Sequence, residues 1–166
     1  RWDACDALWF RLAGRLADRR RAGWLDPVEA WHTRVRPGLD DVVTQVLPQI
    51  SREYTERYAT QRRGSETRVA GALWGDDHDI DVAATLRDGS VVYGHCTWVD
   101  RNLGLGVLER ARRELHQTRF GYGRERRTVL LIMKRPPSSE LEHAALRDPN
   151  VEWVDAERVG SAARQR

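Results

Sequence analysis

Three side chains on either side of one short turn, Asp79, Asp81 and His95, are the residues of this chain best suited to chemistry. Carboxylate oxygens are the hard ligands that divalent cations favour. An imidazole nitrogen beside them suits manganese or zinc better than magnesium. An ion held there could activate water against a phosphodiester. His78 stands close by in the sequence. Such a centre also wants a cation near the attacked phosphate, and Lys134 is the single lysine available, all other positive charge being arginine. The plainer alternative is that Asp81 and His95 form a polar pair, bonded to each other or to backbone at the mouth of two strands.

The elements that must position these groups are legible around them. Asp79–Leu86 and Val91–Trp98 are short runs rich in Val, Ala and aromatics, joined through Asp88-Gly89, as in a β-hairpin. A three-residue loop, Arg87-Asp88-Gly89 with glycine left-handed, sets Asp81 opposite His95 on one face. A two-residue loop would oppose Asp81 to Cys96 and send His95 to the other face. The first is expected. Thr67–Trp74 supplies a preceding strand, and Arg62-Arg63-Gly64-Ser65 marks the break before it.

Upstream, Trp2, Cys5, Leu8, Trp9, Leu12 and Leu16 recur at helical spacing. Asp26-Pro27 has the form of an N-cap with proline at the first helical position, opening a short helix that Pro37-Gly38 should end near Val35. A helix over about 39–60 follows, with Val42, Val43, Val46, Ile50, Tyr54 and Tyr58 on one side. Pro48 should kink or split it. Downstream, Leu105, Leu108, Ala111 and Leu115 predict a helix over about 104–118 that turns Arg110, Arg112 and Arg113 to solvent. Thr128–Met133 is a continuous apolar run, the mark of a strand buried on both faces. A helix over Glu140–Arg147 and a strand over Val151–Val154 complete the order. The expected organisation is a helical lead-in over 1–38, an α/β domain over 39–160 and a disordered tail over 161–166.

The 166 residues are 40% apolar and 32% charged, an ordinary globular composition that excludes a disordered chain. No apolar run is long enough for a membrane span, and no secretory signal opens the chain, so a cytoplasmic piece of a longer protein is expected. Cys5 and Cys96 lack metal-ligand spacing and read as buried free thiols. A net charge of +3 permits a nucleic-acid partner without demanding one. Candidate phosphate contacts are Arg62, Arg63, Arg68, Arg110 and Arg113, with a second group at Arg124, Arg126 and Arg127 beside Tyr122. Solvated charge is the competing reading for all of them. The seven tryptophans fit core and helix packing better than a stacking platform. There is no Walker A loop and no Gly-X-Ser-X-Gly elbow.

The order helix, three strands, helix, strand resembles the PD-(D/E)XK core of restriction-endonuclease-like folds. Trp74-Gly75, Asp79-Ile80-Asp81-Val82, Gly94-His95-Cys96-Thr97-Trp98 and Gly106-Val107-Leu108-Glu109 further resemble the nuclease-like C-terminal domain of archaeal-type AAA+ ATPases, whose pattern is Glu-Ile-Asp-Val followed by Gly-Glu-Cys-Lys-Trp. Asp6-Ala7-Leu8-Trp9-Phe10-Arg11 resembles the linker motif of the same family. The resemblance implies an α/β nuclease-like fold with a helical extension and an ATPase module upstream in the same longer chain. It also implies a catalytic set that is altered here: Asp81 matches the family Asp, His95 stands at its Glu, Thr97 at its Lys, and Pro48 at a helix Glu. Glu53 lies nearby, but five residues on it is turned roughly 140° around a helix. Neither imidazole nor hydroxyl replaces the lost charge.

A non-catalytic nuclease-fold domain is therefore expected, docking to its ATPase module, a partner protein or nucleic-acid backbone, with no cofactor of its own. The alternative is a metal-dependent nuclease with a rearranged centre of Asp79, Asp81, His95 and Lys134, using magnesium or manganese.

Overall fold

The computed structural model describes residues 14–21, 26–76 and 78–164. The leading apolar stripe from Trp2 to Leu12, Cys5, the Asp6–Arg11 motif and Trp24 lie outside the described residues. The chain divides into two compact units, residues 1–50 and 51–166.

In the first unit, helix α1 spans Gly14–Arg21 and helix α2 spans Pro27–Ala30. Asp26 caps α2 as expected, its carboxylate accepting from the Val28 N–H at 2.8 Å, with Pro27 where no N–H is needed. Pro37-Gly38 does not stop the chain. A π turn, Trp31–Val35, follows α2 and runs directly into helix α3, Arg36–Arg63. The wider turn lies just before Pro37, where a regular helix would press the ring against the carbonyl four residues back. Pro48 likewise sits inside α3 without splitting it. A helix of 28 residues can forgo the one hydrogen bond that proline removes.

The second unit is a mixed α/β layer structure around a five-stranded sheet of order β1-β2-β3-β4-β5: Thr67–Gly75, His78–Leu86, Val91–Thr97, Arg127–Met133 and Val151–Asp155. The first three strands form an antiparallel meander; β3-β4 and β4-β5 are parallel. Helices α4 (Leu105–Gln117) and α5 (Ser139–Arg147) make the two crossovers that parallel pairing requires. Helix α6, Ala156–Arg164, occupies most of the stretch expected as a disordered tail.

Central strand β4 is buried at every residue from Thr128 to Met133, as its apolar run predicts. Its Val129, Leu131 and Met133 join Val91 and Tyr93 of β3 and Leu108, Ala111 and Leu115 of α4 in one core. Each fully buried side chain of this size contributes roughly 1.5–3 kcal/mol. From residue 51 onward the buried face of α3 keeps Tyr58 of the expected set but is otherwise made of small residues. Ser51, Thr55, Tyr58 and Ala59 are buried, whereas Tyr54 is only partly buried and stacks on Tyr58. Small hydroxyl side chains fit a close helix approach once satisfied locally, and Thr55 Oγ1 donates to the Ser51 carbonyl at 2.8 Å. Packing does not account for every tryptophan: Trp74, near the end of edge strand β1, is 78% exposed, and Trp31 is exposed too.

Candidate functional site

The site is built at the open end of the β2-β3 hairpin, and its register follows from the turn. Gly89 has φ +84°, its N–H bonds the Leu86 carbonyl, and Leu86 N–H bonds Ser90. This is the three-residue loop with a left-handed glycine. The ladder then pairs Thr85 with Val91 and, at its end, Val82 with Gly94, which sets Asp81 level with His95.

Past Val82 the ladder gives way. Cys96 N–H, due to bond a carbonyl of β2, donates instead to Asp81 Oδ2 at 2.7 Å. The carboxylate thus acts as a substitute strand carbonyl. Gly94 permits this close approach, because a Cβ there would lie 2.7 Å from Val82 Cβ. Arg52 of α3 donates to the Asp81 carbonyl at 3.2 Å, and the Cys96 thiol donates to Ser51 Oγ at 3.0 Å on the opposite side of the sheet from α4. Burial pushes the Asp81 carboxyl above the usual range, partly countered by the Cys96 N–H and by His95. Burial pushes the Cys96 thiol far up as well, so it is an inert hydrogen-bonding group.

His95 extends on the α4 face, where Glu114 meets it. Its Nδ1 lies 3.8 Å from Asp81 Oδ2 and 3.8 Å from Glu114 Oε2, with both the imidazole and the Glu114 side chain 12% exposed. These separations suit an ion pair and are too long for hydrogen bonds. Nδ1 is buried with no hydrogen-bond partner. Glu114 is fixed from the other side by Arg110 Nε at 2.7 Å. That bond and the charge of Glu114 raise the Arg110 pKa, with Asp79 and Asp81 adding to it. A cavity of about 10 Å³ adjoins His95 and Glu114, roughly the room that one water needs.

These residues do not fit magnesium. That ion takes near-octahedral oxygen ligands and keeps several waters. Here one Asp81 oxygen holds a backbone N–H, one Glu114 oxygen holds a guanidinium, and the group between them is an imidazole. Among the described residues no three His, Cys, Asp or Glu side chains are arranged to hold a metal.

The remaining sequence candidates lie as follows. Thr97 ends β3 without a charge to offer. Asp79 is exposed and pairs across from Trp74, and the His78 ring lies over Gly75. Lys134 follows β4 with its ammonium 3.5 Å from Asp100 and over the Trp98 ring. Of the proposed phosphate contacts, Arg63 is tied to Glu152 at 2.5 Å and to Thr128 Oγ1 at 2.9 Å, holding α3 to β4 and β5. Arg62, Arg68 and Arg113 are exposed, on α3, β1 and α4. Glu114, Ser51 and Arg52 escape the sequence reading. For Glu114 the signal exists: it is three residues after Ala111 and seven after Val107, a carboxylate on the apolar stripe of its helix.

No protein-family model matches the chain, and no curated protein matches it. Among solved structures, the crystal structure of a repair endonuclease from Pyrococcus abyssi is similar over 62% of this chain, with a TM-score of 0.43 and 14% identity. The matched region is 45% of that protein, so this chain corresponds to less than half of its length. No helix among the described residues is long and apolar enough to cross a membrane.

Proposed function

We propose that this chain carries a nuclease-type α/β domain that docks rather than cuts. It belongs to a longer cytoplasmic protein with an ATPase module, and it engages that module, a partner protein or nucleic-acid backbone. The observation that carries the reading is the use of Asp81. Its Oδ2 accepts the Cys96 N–H at 2.7 Å, which makes the carboxylate a structural part of the hairpin mouth. The groups around it point the same way: imidazole and threonine replace the glutamate and lysine of the resembling family, and Glu114 is bound by Arg110.

The test is a cleavage assay on DNA and RNA with magnesium or manganese. No cleavage is expected. Metal-dependent cleavage that disappears in Asp81→Ala would overturn the reading in favour of a rearranged centre. The double variant His95→Glu/Thr97→Lys returns an oxygen ligand and a cation together, so weak magnesium-dependent cleavage is expected there and in neither single variant. Docking to nucleic-acid backbone would appear as binding that weakens steeply with salt.

A further inference from the structure

A cleft of about 390 Å³ opens between the end of β3 and the start of α4. His95, Thr97, Arg101, Asn102 and Arg110 supply its polar lining, and none of its lining residues is an aspartate or glutamate. Arg101 and Asn102 are exposed. Arg110 commits Nε to Glu114, and its side chain is 57% exposed, so its outer nitrogens remain presented. Gly104 caps α4 with no side chain to cover the first N–H groups of the helix, and a Cβ at Gly106 would meet nothing within 4 Å.

We infer that this cleft binds the phosphate of a single nucleotide-sized ligand. The Arg101 guanidinium, the Asn102 amide and the Arg110 nitrogens that Glu114 does not hold can recognise a phosphate through paired, charge-assisted hydrogen bonds. The open helix start adds backbone N–H donors to that set. The volume lies within the range of small-molecule sites, toward its lower end, and is far short of a duplex groove. Leu103 and Val107, also in the lining, offer an apolar wall to a flat ring. The inference is independent of cleavage; for a strand end it rests on the docking reading above, whereas for a free mononucleotide it needs only the cleft. The shared chemistry is a phosphate on a nucleoside, from either a free mononucleotide or the phosphorylated end of a strand.

Calorimetric titration of the full chain would test it with inorganic phosphate, adenosine 5′-monophosphate, adenosine, and an oligonucleotide with or without a 5′-phosphate. The monophosphate should bind, inorganic phosphate should compete, and adenosine should not bind. Arg101→Ala should weaken the monophosphate about tenfold, as loss of a charged hydrogen-bonding pair does. Asn102→Asp should weaken it at least as much, and Arg147→Ala, exposed and outside the cleft, should leave it unchanged. Tighter binding of the phosphorylated oligonucleotide than of the monophosphate would identify a strand end as the source, and the reverse order a free nucleotide. The proposal is overturned if adenosine binds as well as its monophosphate, if Arg101→Ala binds like the parent chain, or if no phosphate-bearing probe binds.

Discussion

The two ends of the β2-β3 hairpin each use an aspartate to hold a backbone N–H of β3 or the residue before it, with opposite electrostatic results. At the turn, Asp88 Oδ1 accepts from Ser90 N–H at 2.9 Å and from its hydroxyl at 2.6 Å, and the side chain is in solvent. These bonds hold its carboxyl below the usual range. At the mouth, Asp81 accepts from Cys96 at 2.7 Å, but burial outweighs the bond and raises its carboxyl. The hydrogen bond is similar and the surroundings differ. Whether a carboxylate that pins a strand gains or loses by being charged is therefore decided by the balance of its bonds against desolvation: the two Ser90 bonds prevail at Asp88, and burial prevails at Asp81.

The largest test of that contrast is steric. Gly94→Ala puts a methyl group 2.7 Å from Val82 Cβ and should force the mouth open, lowering stability by about 3 kcal/mol in urea unfolding. Next, Asp81→Ala leaves the part-buried Cys96 N–H unpaired and should cost about 2 kcal/mol. Asp81→Asn keeps an acceptor and should stay close to the parent. Asp88→Ala, at the solvated end, should cost only about 0.5 kcal/mol. A larger loss at Asp88 than at Asp81 would invert the comparison.

The smallest effect is also the most discriminating. Asp81 has a raised carboxyl pKa, so its contribution to stability is full when protonated and is lost as pH rises through the folded-state value. Asp88 has a lowered one, so its contribution is present above the unfolded-state value and is lost as pH falls through the folded-state value. Measured between about pH 3 and pH 6, Asp81→Asn should gain relative to the parent as pH rises, and Asp88→Asn should lose. Parallel slopes would show that the two environments are alike.

The hairpin was readable because its turn leaves little freedom: Arg87-Asp88-Gly89 dictates the register, and the register places Asp81 beside His95. The helices were less so. Proline removes one hydrogen bond, yet Pro37 follows a π turn and Pro48 sits in a long helix, so neither ends the element. The face of α3 was legible only in part: Val42 and Tyr58 are buried as their types suggest, but Ser51 and Thr55 count as polar by composition, although their hydroxyls are satisfied in place. Glu114 was missed for a related reason. A charged residue is ordinarily assigned to solvent; the spacing of four from Arg110 is a signal that those two meet, but nothing before the fold shows that His95 will join them.

Strand β4 also gives this unit an internal gauge of stability. It has a strand on either side, and each residue from Thr128 to Met133 is covered on both faces. Its amides should exchange with solvent only when the whole unit opens, whereas those of edge strand β1 exchange through smaller openings. Exchange at Leu130 and Leu131 would then report the global free energy of unfolding amide by amide, without denaturant. A variant at the hairpin mouth that slows or speeds those two amides has changed the fold as a whole, and one that alters only Cys96 has changed the mouth alone.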